Sequence, residues 1–178
     1  KIAIGKSRKI TIMGRLMNKL TVKDIDIKNK RVLIRVDYNV PLRFNQETKE
    51  WEVEDDYRLR MSIPTLRELK RRGAKKIILL SHLGRPQGKF KMEFSLRPAA
   101  KHLTELLRKD GLIGAKEIVE FPEPLSSKPT GDEFIQKNDA VVDRVRRGGF
   151  GMFENVRMHP GEESKEEPER DGFGARLY

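Results

Sequence analysis

Residues 75–86 read Lys-Lys-Ile-Ile-Leu-Leu-Ser-His-Leu-Gly-Arg-Pro. The four apolar side chains at 77–80 run without the alternation of a strand that has one wet face, so they predict a strand buried on both sides. Such strands belong to parallel sheets covered by helices. The apolar run gives way at once to Ser81, His82, Gly84, Arg85 and Pro86, residues that take a strand out of the interior and turn it. Two side chains able to bind an anion, His82 and Arg85, therefore arrive where a buried strand surfaces.

The flanking sequence extends this pattern. Residues 31–37, RVLIRVD, predict a second β-branched strand. Between the two, Asp55 or Asp56 can cap a helix whose apolar positions are Leu59, Ile63, Leu66 and Leu69, with Gly73 at its exit. Pro64 lies inside that helix and predicts a kink or a later start. Ser95 is the expected N-cap of a second helix with Leu96, Ala99, Ala100, Leu103, Leu106 and Leu107 on one face and Gly111 at its end. Residues 116–121, KEIVEF, predict a third short strand. The alternation implies an α/β fold: three layers, a mostly parallel sheet, helices on both faces and right-handed crossovers. Past Phe121 come a proline-rich loop, a helix over 134–147, and a glycine-interrupted strand within 148–163, GGFGMFENVRMHPGEE, whose glycines should weaken it.

At 178 residues the chain has room for one ordinary domain. A net charge of +11, with 37% of residues charged, suits a phosphorylated small molecule, a nucleic acid or an anionic membrane surface. The absence of cysteine excludes disulfides, a thiol nucleophile and Cys-based zinc sites. The apolar run at 77–80 is far too short to span a bilayer, and the expectation is a soluble, cytoplasmic, monomeric protein. Residues 1–16 carry five positive charges and no acid, and are read as a basic leader, disordered or non-native, before a natural-looking start at Met17.

Three strand ends carry polar chemistry: Asp37, Tyr38 and Asn39 on the first, His82 and Arg85 on the second, Arg157 and then His159 after the glycine-rich one. In a parallel sheet these ends share one edge, and ligands bind outside it. Guanidinium groups hold phosphate or carboxylate through paired, charge-assisted hydrogen bonds, whereas Asp37 is suited to accept from a hydroxyl. Each residue alone is an ordinary surface side chain. Together they point to a compact hydroxylated anion.

The segments RVLIRVDYNVPL, DDYRLRMSIPTLRELKRRGAKKIILLSHLGRP and ENVRMHPGEE resemble, in order and spacing, the N-terminal domain of phosphoglycerate kinase over about residues 19–163. The resemblance implies a Rossmann-like domain at 17–163 that binds 3-phosphoglycerate or 1,3-bisphosphoglycerate. The kinase passes a phosphoryl group from the latter to ADP, with Mg2+. It also implies that Asp37 and Asn39 meet the glycerate hydroxyl region, that His82, Arg85 and Arg157 grip the 3-phosphate, and that Arg58 stands beside the transferring phosphoryl group, where it stabilises charge on the equatorial oxygens.

The family's following substrate segment survives only as Asp171, Phe173 and Gly174; Arg176 is out of step with it, and 164–178 reads as a divergent tail. Neither GxxxxGK[ST] nor GxGxxG occurs, so the ATP and ADP sites of the family's C-terminal domain are not expected here. The chain is thus read as a fragment that supplies a half-site and is inactive alone, since turnover requires both substrates aligned by domain closure. The competing expectation is a non-catalytic basic α/β module for nucleic acid or protein. It lacks any recognisable nucleic-acid motif, and Trp51 lies in a charged insert rather than on a basic face.

Overall fold

The computed structural model describes residues 2–3, 20–126 and 129–162. Its elements in chain order are β1 (Ile2–Ala3), β2 (Arg31–Arg35), β3 (Leu42–Asn45), β4 (Glu50–Val53), α1 (Tyr57–Arg71), β5 (Lys76–Leu80), α2 (Arg97–Lys109), α3 (Gly131–Arg144) and β6 (Gly149–Met152). The main sheet has the order β1-β2-β5-β6, with β2, β5 and β6 parallel and β1 antiparallel at the edge. Two residues of the leader therefore pair with Leu33 and Ile34 rather than being disordered, because an open edge offers unpaired backbone groups. The rest of the leader and its boundary at 16/17 lie outside the described residues, as do Asp171, Phe173, Gly174 and Arg176.

The unbroken apolar run of β5 has its physical reason in the layers. Ile77 and Leu79 enter one core with Leu59, Leu66 and Leu69 of α1 and Leu103 and Leu107 of α2. Ile78 and Leu80 enter another with Phe134, Ile135 and Val141 of α3. Successive side chains of a strand point to opposite faces, so both faces must be apolar when both are covered. The fold is the expected three-layer α/β arrangement with helices on both sides of a mostly parallel sheet.

Several local expectations are corrected. Helix α1 runs unbroken through Pro64, because the proline is on the exposed face and the Arg60 carbonyl that loses its partner is at the solvent side. Asp56 is the N-cap residue of α1, but the backbone N–H bonded by a side chain at the helix start is that of Tyr57, which donates to Asp55 at 2.8 Å. Ser95 stands one residue before the N-cap of α2, which is Leu96. Its Oγ accepts from the Arg97 N–H at 3.2 Å and donates to Glu154 at 2.7 Å. Residues 116–121 form no strand: a single bridge joins Glu120 to Gly151. The third helix begins at Gly131, where Thr130 accepts from the Glu133 N–H at 3.1 Å, and ends at Arg144.

The glycines of β6 act opposite to expectation. Phe150 and Met152 fill the α1/α2 core, while Gly149 and Gly151 face the other way. A Cβ on Gly151 would stand 2.7 Å from Val145, 2.8 Å from Val141 and 3.2 Å from Ile78. The missing side chain is what lets α3 close onto the sheet.

Two stability tests follow from this packing. Gly151→Ala should destabilise the chain by about 1–3 kcal/mol, the usual penalty for overpacking a tight interior, read from the midpoint of urea unfolding. Burial pushes the Glu154 carboxyl up from its ordinary range, against the hydrogen bonds it accepts from Leu96, Asn155 and Ser95. A raised native pKa contributes stability that is complete below the unfolded value and is lost as pH rises through the native one. Glu154→Gln should remove that decline from the pH–stability curve while keeping the fold.

Candidate anion-binding site

The C-terminal ends of β2, β5 and β6 meet at one edge, and a buried polar framework fixes their spacing. Ser81, just past β5, accepts the Tyr38 N–H at 2.8 Å, joining the ends of β2 and β5. Asn155, past β6 and fully buried, donates through Nδ2 to the Leu83 carbonyl at 2.6 Å and the Phe94 carbonyl at 2.9 Å, and accepts from the Arg157 N–H at 3.1 Å. Glu154 accepts from the N–H groups of Leu96 at 2.8 Å and Asn155 at 2.7 Å. Each buried polar group here is matched, which is what a turn of this shape requires to be held in one place.

Gly84 is the centre of the arrangement. Its N–H donates to Asn39 Oδ1 at 2.9 Å, and its carbonyl accepts from Arg157 Nη1 at 3.0 Å. The side chains delivered by the first and third strand ends thus clasp the turn delivered by the second. Its φ of 56° and the Phe94 ring, 2.4 Å from where a Cβ would stand, both demand glycine.

Arg58, on the first turn of α1, donates to Asp37 Oδ2, and Asp37 Oδ1 accepts from the Asn39 N–H at 3.1 Å. Burial alone would raise the Asp37 carboxyl; the Asn39 N–H, the Arg58 guanidinium and His82 together hold it below its usual range. His82 is lowered from its ordinary value, first by burial and then by the charges of Arg157 and Arg35, with Asp37 and Glu162 opposing. The imidazole is therefore mainly neutral at pH 7. Beside these groups a cleft of about 340 Å³ opens between the end of β2 and α1, lined by Arg35, Asp37, Tyr57, Arg58 and Met61 among others.

Of the residues expected to form the site, Asp37, Asn39, Arg58, His82 and Arg157 are brought together by these contacts. Arg85 is exposed on the same turn, with no hydrogen bond or ion pair to the described residues. Tyr38 borders the cleft but offers it no free polar group: its ring is wholly buried and its hydroxyl shares a 2.6 Å hydrogen bond with Ser62. His159 also turns away, accepting from the Gly161 N–H at 3.0 Å and meeting the Phe134 ring edge-to-face.

Sequence reasoning missed Arg35, Glu162, Ser81 and Asn155. Arg35 donates to Glu162 Oε1 at 2.9 Å at the margin of the crevice. The signal for Arg35 was available, since it lies in the first predicted strand, 31–37, two residues before Asp37. Glu162 and Asn155 act through neighbours distant in sequence. Among the described residues no group of three or more acidic or histidine side chains is placed to hold a metal ion. No described helix is long and apolar enough to cross a membrane.

A family model for phosphoglycerate kinase matches residues 22–178. The phosphoglycerate kinases of Syntrophobacter fumaroxidans and Thermosipho africanus are 39% and 41% identical to this chain over 147 and 153 residues, which are 83% and 86% of it and 32% of each relative. The solved structure of phosphoglycerate kinase from Coxiella burnetii is similar with a TM-score of 0.60 at 27% identity, over 89% of this chain and 32% of that one. The chain spans about a third of the length of these relatives.

The electrostatics of the crevice make a direct test. In NMR titrations of the imidazole, Asp37→Asn should lower the His82 pKa, because a stabilising negative charge is lost. Arg157→Leu should raise it, because a repelling positive charge is lost. Shifts of the opposite sign would mean that these groups do not face His82 in solution.

Proposed function

Since the chain belongs to the phosphoglycerate kinase family, we propose that residues 17–163 supply the 3-phosphoglycerate half-site of phosphoryl transfer between 1,3-bisphosphoglycerate and ADP. The observation that carries this reading is the double clasp on Gly84, by Asn39 from one strand end and Arg157 from another. It gathers hydroxyl-accepting and anion-binding groups on one rigid edge, as a small phosphorylated hydroxy acid requires.

In this reading Arg85 and Arg157 hold the 3-phosphate by charge-assisted hydrogen bonds, and His82 lies against it. The negative charge of the phosphate draws a proton onto His82, reversing the depression caused by its cationic neighbours. Asp37 and Asn39 orient the glycerate hydroxyl. Arg58, already held toward the crevice by Asp37, is positioned to stabilise the equatorial oxygens of the transferred group.

No nucleotide or magnesium step is assigned to these residues. The 178-residue chain alone binds glycerate phosphate without turnover, as a monomeric cytoplasmic protein. The residues expected to act are Asp37, Asn39, Arg58, His82, Arg85 and Arg157; the tail 164–178 is given no role.

Isothermal titration of the purified chain with 3-phosphoglycerate tests the proposal. Saturable binding is expected, weakened at least about a hundredfold in an Arg85→Ala, Arg157→Ala double variant, the size of effect that two lost charge-assisted contacts produce. Binding that survives in the double variant, or a folded wild-type chain that ignores the ligand, would reject it. Robust turnover by the chain alone would reject its half-site character.

A further inference from the structure

We propose that Glu162 is an internal competitor at the anion crevice: its carboxylate holds Arg35, and a ligand's anionic group must compete with it for that guanidinium. This deepens the reading above, on which it rests for the identity of the ligand but not for the existence of an anion site.

Arg35 is the last residue of β2, two residues before Asp37, and lines the same cleft as Asp37 and Arg58. Its Nη2 donates to Glu162 Oε1 at 2.9 Å. The Glu162 side chain is only 17% exposed, against 49% for Arg35, so this charge is less screened than one on an open surface. Among the described residues, Arg35 is the only side-chain partner of the Glu162 carboxylate. Both groups reach His82 electrostatically and with opposite signs, which sets the pair at the edge of the crevice rather than on a remote surface.

A carboxylate held on a cation beside an anion site opposes binding in two ways. The ion pair must be broken, and the freed negative charge stays near the incoming one. A phosphate dianion can overcome this, since it brings more charge and more acceptor oxygens than the carboxylate it replaces. Arg58 is paired by a carboxylate as well, but Asp37 also faces the ligand's hydroxyl in the proposed function. Glu162 has no such second task in that function.

The test is a double-mutant cycle on the whole chain: wild type, Glu162→Gln, Arg35→Gln and the double variant, titrated calorimetrically with inorganic phosphate and with 3-phosphoglycerate. Glutamine keeps the shape of Glu162 and a neutral acceptor for Arg35, so the fold should be unaffected, checked by the thermal midpoint. Glu162→Gln is expected to bind inorganic phosphate about two- to fivefold more tightly, the range typical of one partly exposed ion pair. The gain should vanish in the Arg35→Gln background, as a competitor needs the group it competes for.

Unchanged or weaker phosphate binding in Glu162→Gln overturns the proposal. So does an equal gain without Arg35, which would reflect overall charge, and so does phosphate binding by none of the four proteins. Should Glu162→Gln tighten phosphate as expected while 3-phosphoglycerate binds no better than phosphate in wild type, the competitor stands and the glycerate reading fails.

Discussion

Glu154 and Asn155 are adjacent, buried and polar, and the geometry of the whole strand-end edge depends on how they are satisfied. A buried carboxylate and a buried amide are tolerated only when every strong donor and acceptor finds a partner. Here those partners come from three stretches of the chain: Leu83, Phe94–Leu96 at the entry to α2, and Arg157. The requirement that they all be met at once fixes the turn at 82–86 against the end of β6. The position of His82 and Arg157 is thus a consequence of interior hydrogen bonding.

The same edge collects Arg35, Arg58, Arg85, Arg157 and His82, and such a group of cations repels itself. Two carboxylates offset this, Asp37 on Arg58 and Glu162 on Arg35, and depression of the His82 pKa leaves the imidazole mostly neutral. Charge is therefore offset only in part, and the excess is positive, carried by Arg85 and Arg157. The exposed Arg85 and the partly buried Arg157 differ in kind: one is free to adapt, the other is held to the Gly84 carbonyl. A rigid cation and an adaptable one together favour orientation of a compact anion over simple attraction.

Legibility in the sequence followed the range of the interactions. The layers were readable because β5 is apolar at every position from 77 to 80, and only a strand covered on both faces tolerates that. Strand-end residues were readable because the polypeptide itself carries them past the sheet edge. KEIVEF misled because its composition suits a strand, yet only Glu120 pairs with the sheet. The glycines of β6 misled for a related reason: a glycine's weakness as a strand former is local, whereas the need for empty space beneath Val141 and Val145 comes from a helix packed above it.

By itself the amino-acid sequence determined the three-layer class, the strand ends that carry the polar side chains, and the family to which the motifs belong, because all three are written in contiguous periodicity and short spacings. Tertiary structure alone decided that Tyr38 turns inward and His159 away, that Arg35 is held by Glu162, and that Asn39 and Arg157 close on the two backbone groups of one glycine. The Glu162 contact and the two bonds to Gly84 join residues 45 to 127 positions apart. Hydrogen bonds and ion pairs of that span leave no local pattern, because their geometry exists only once the sheet has brought the strand ends together.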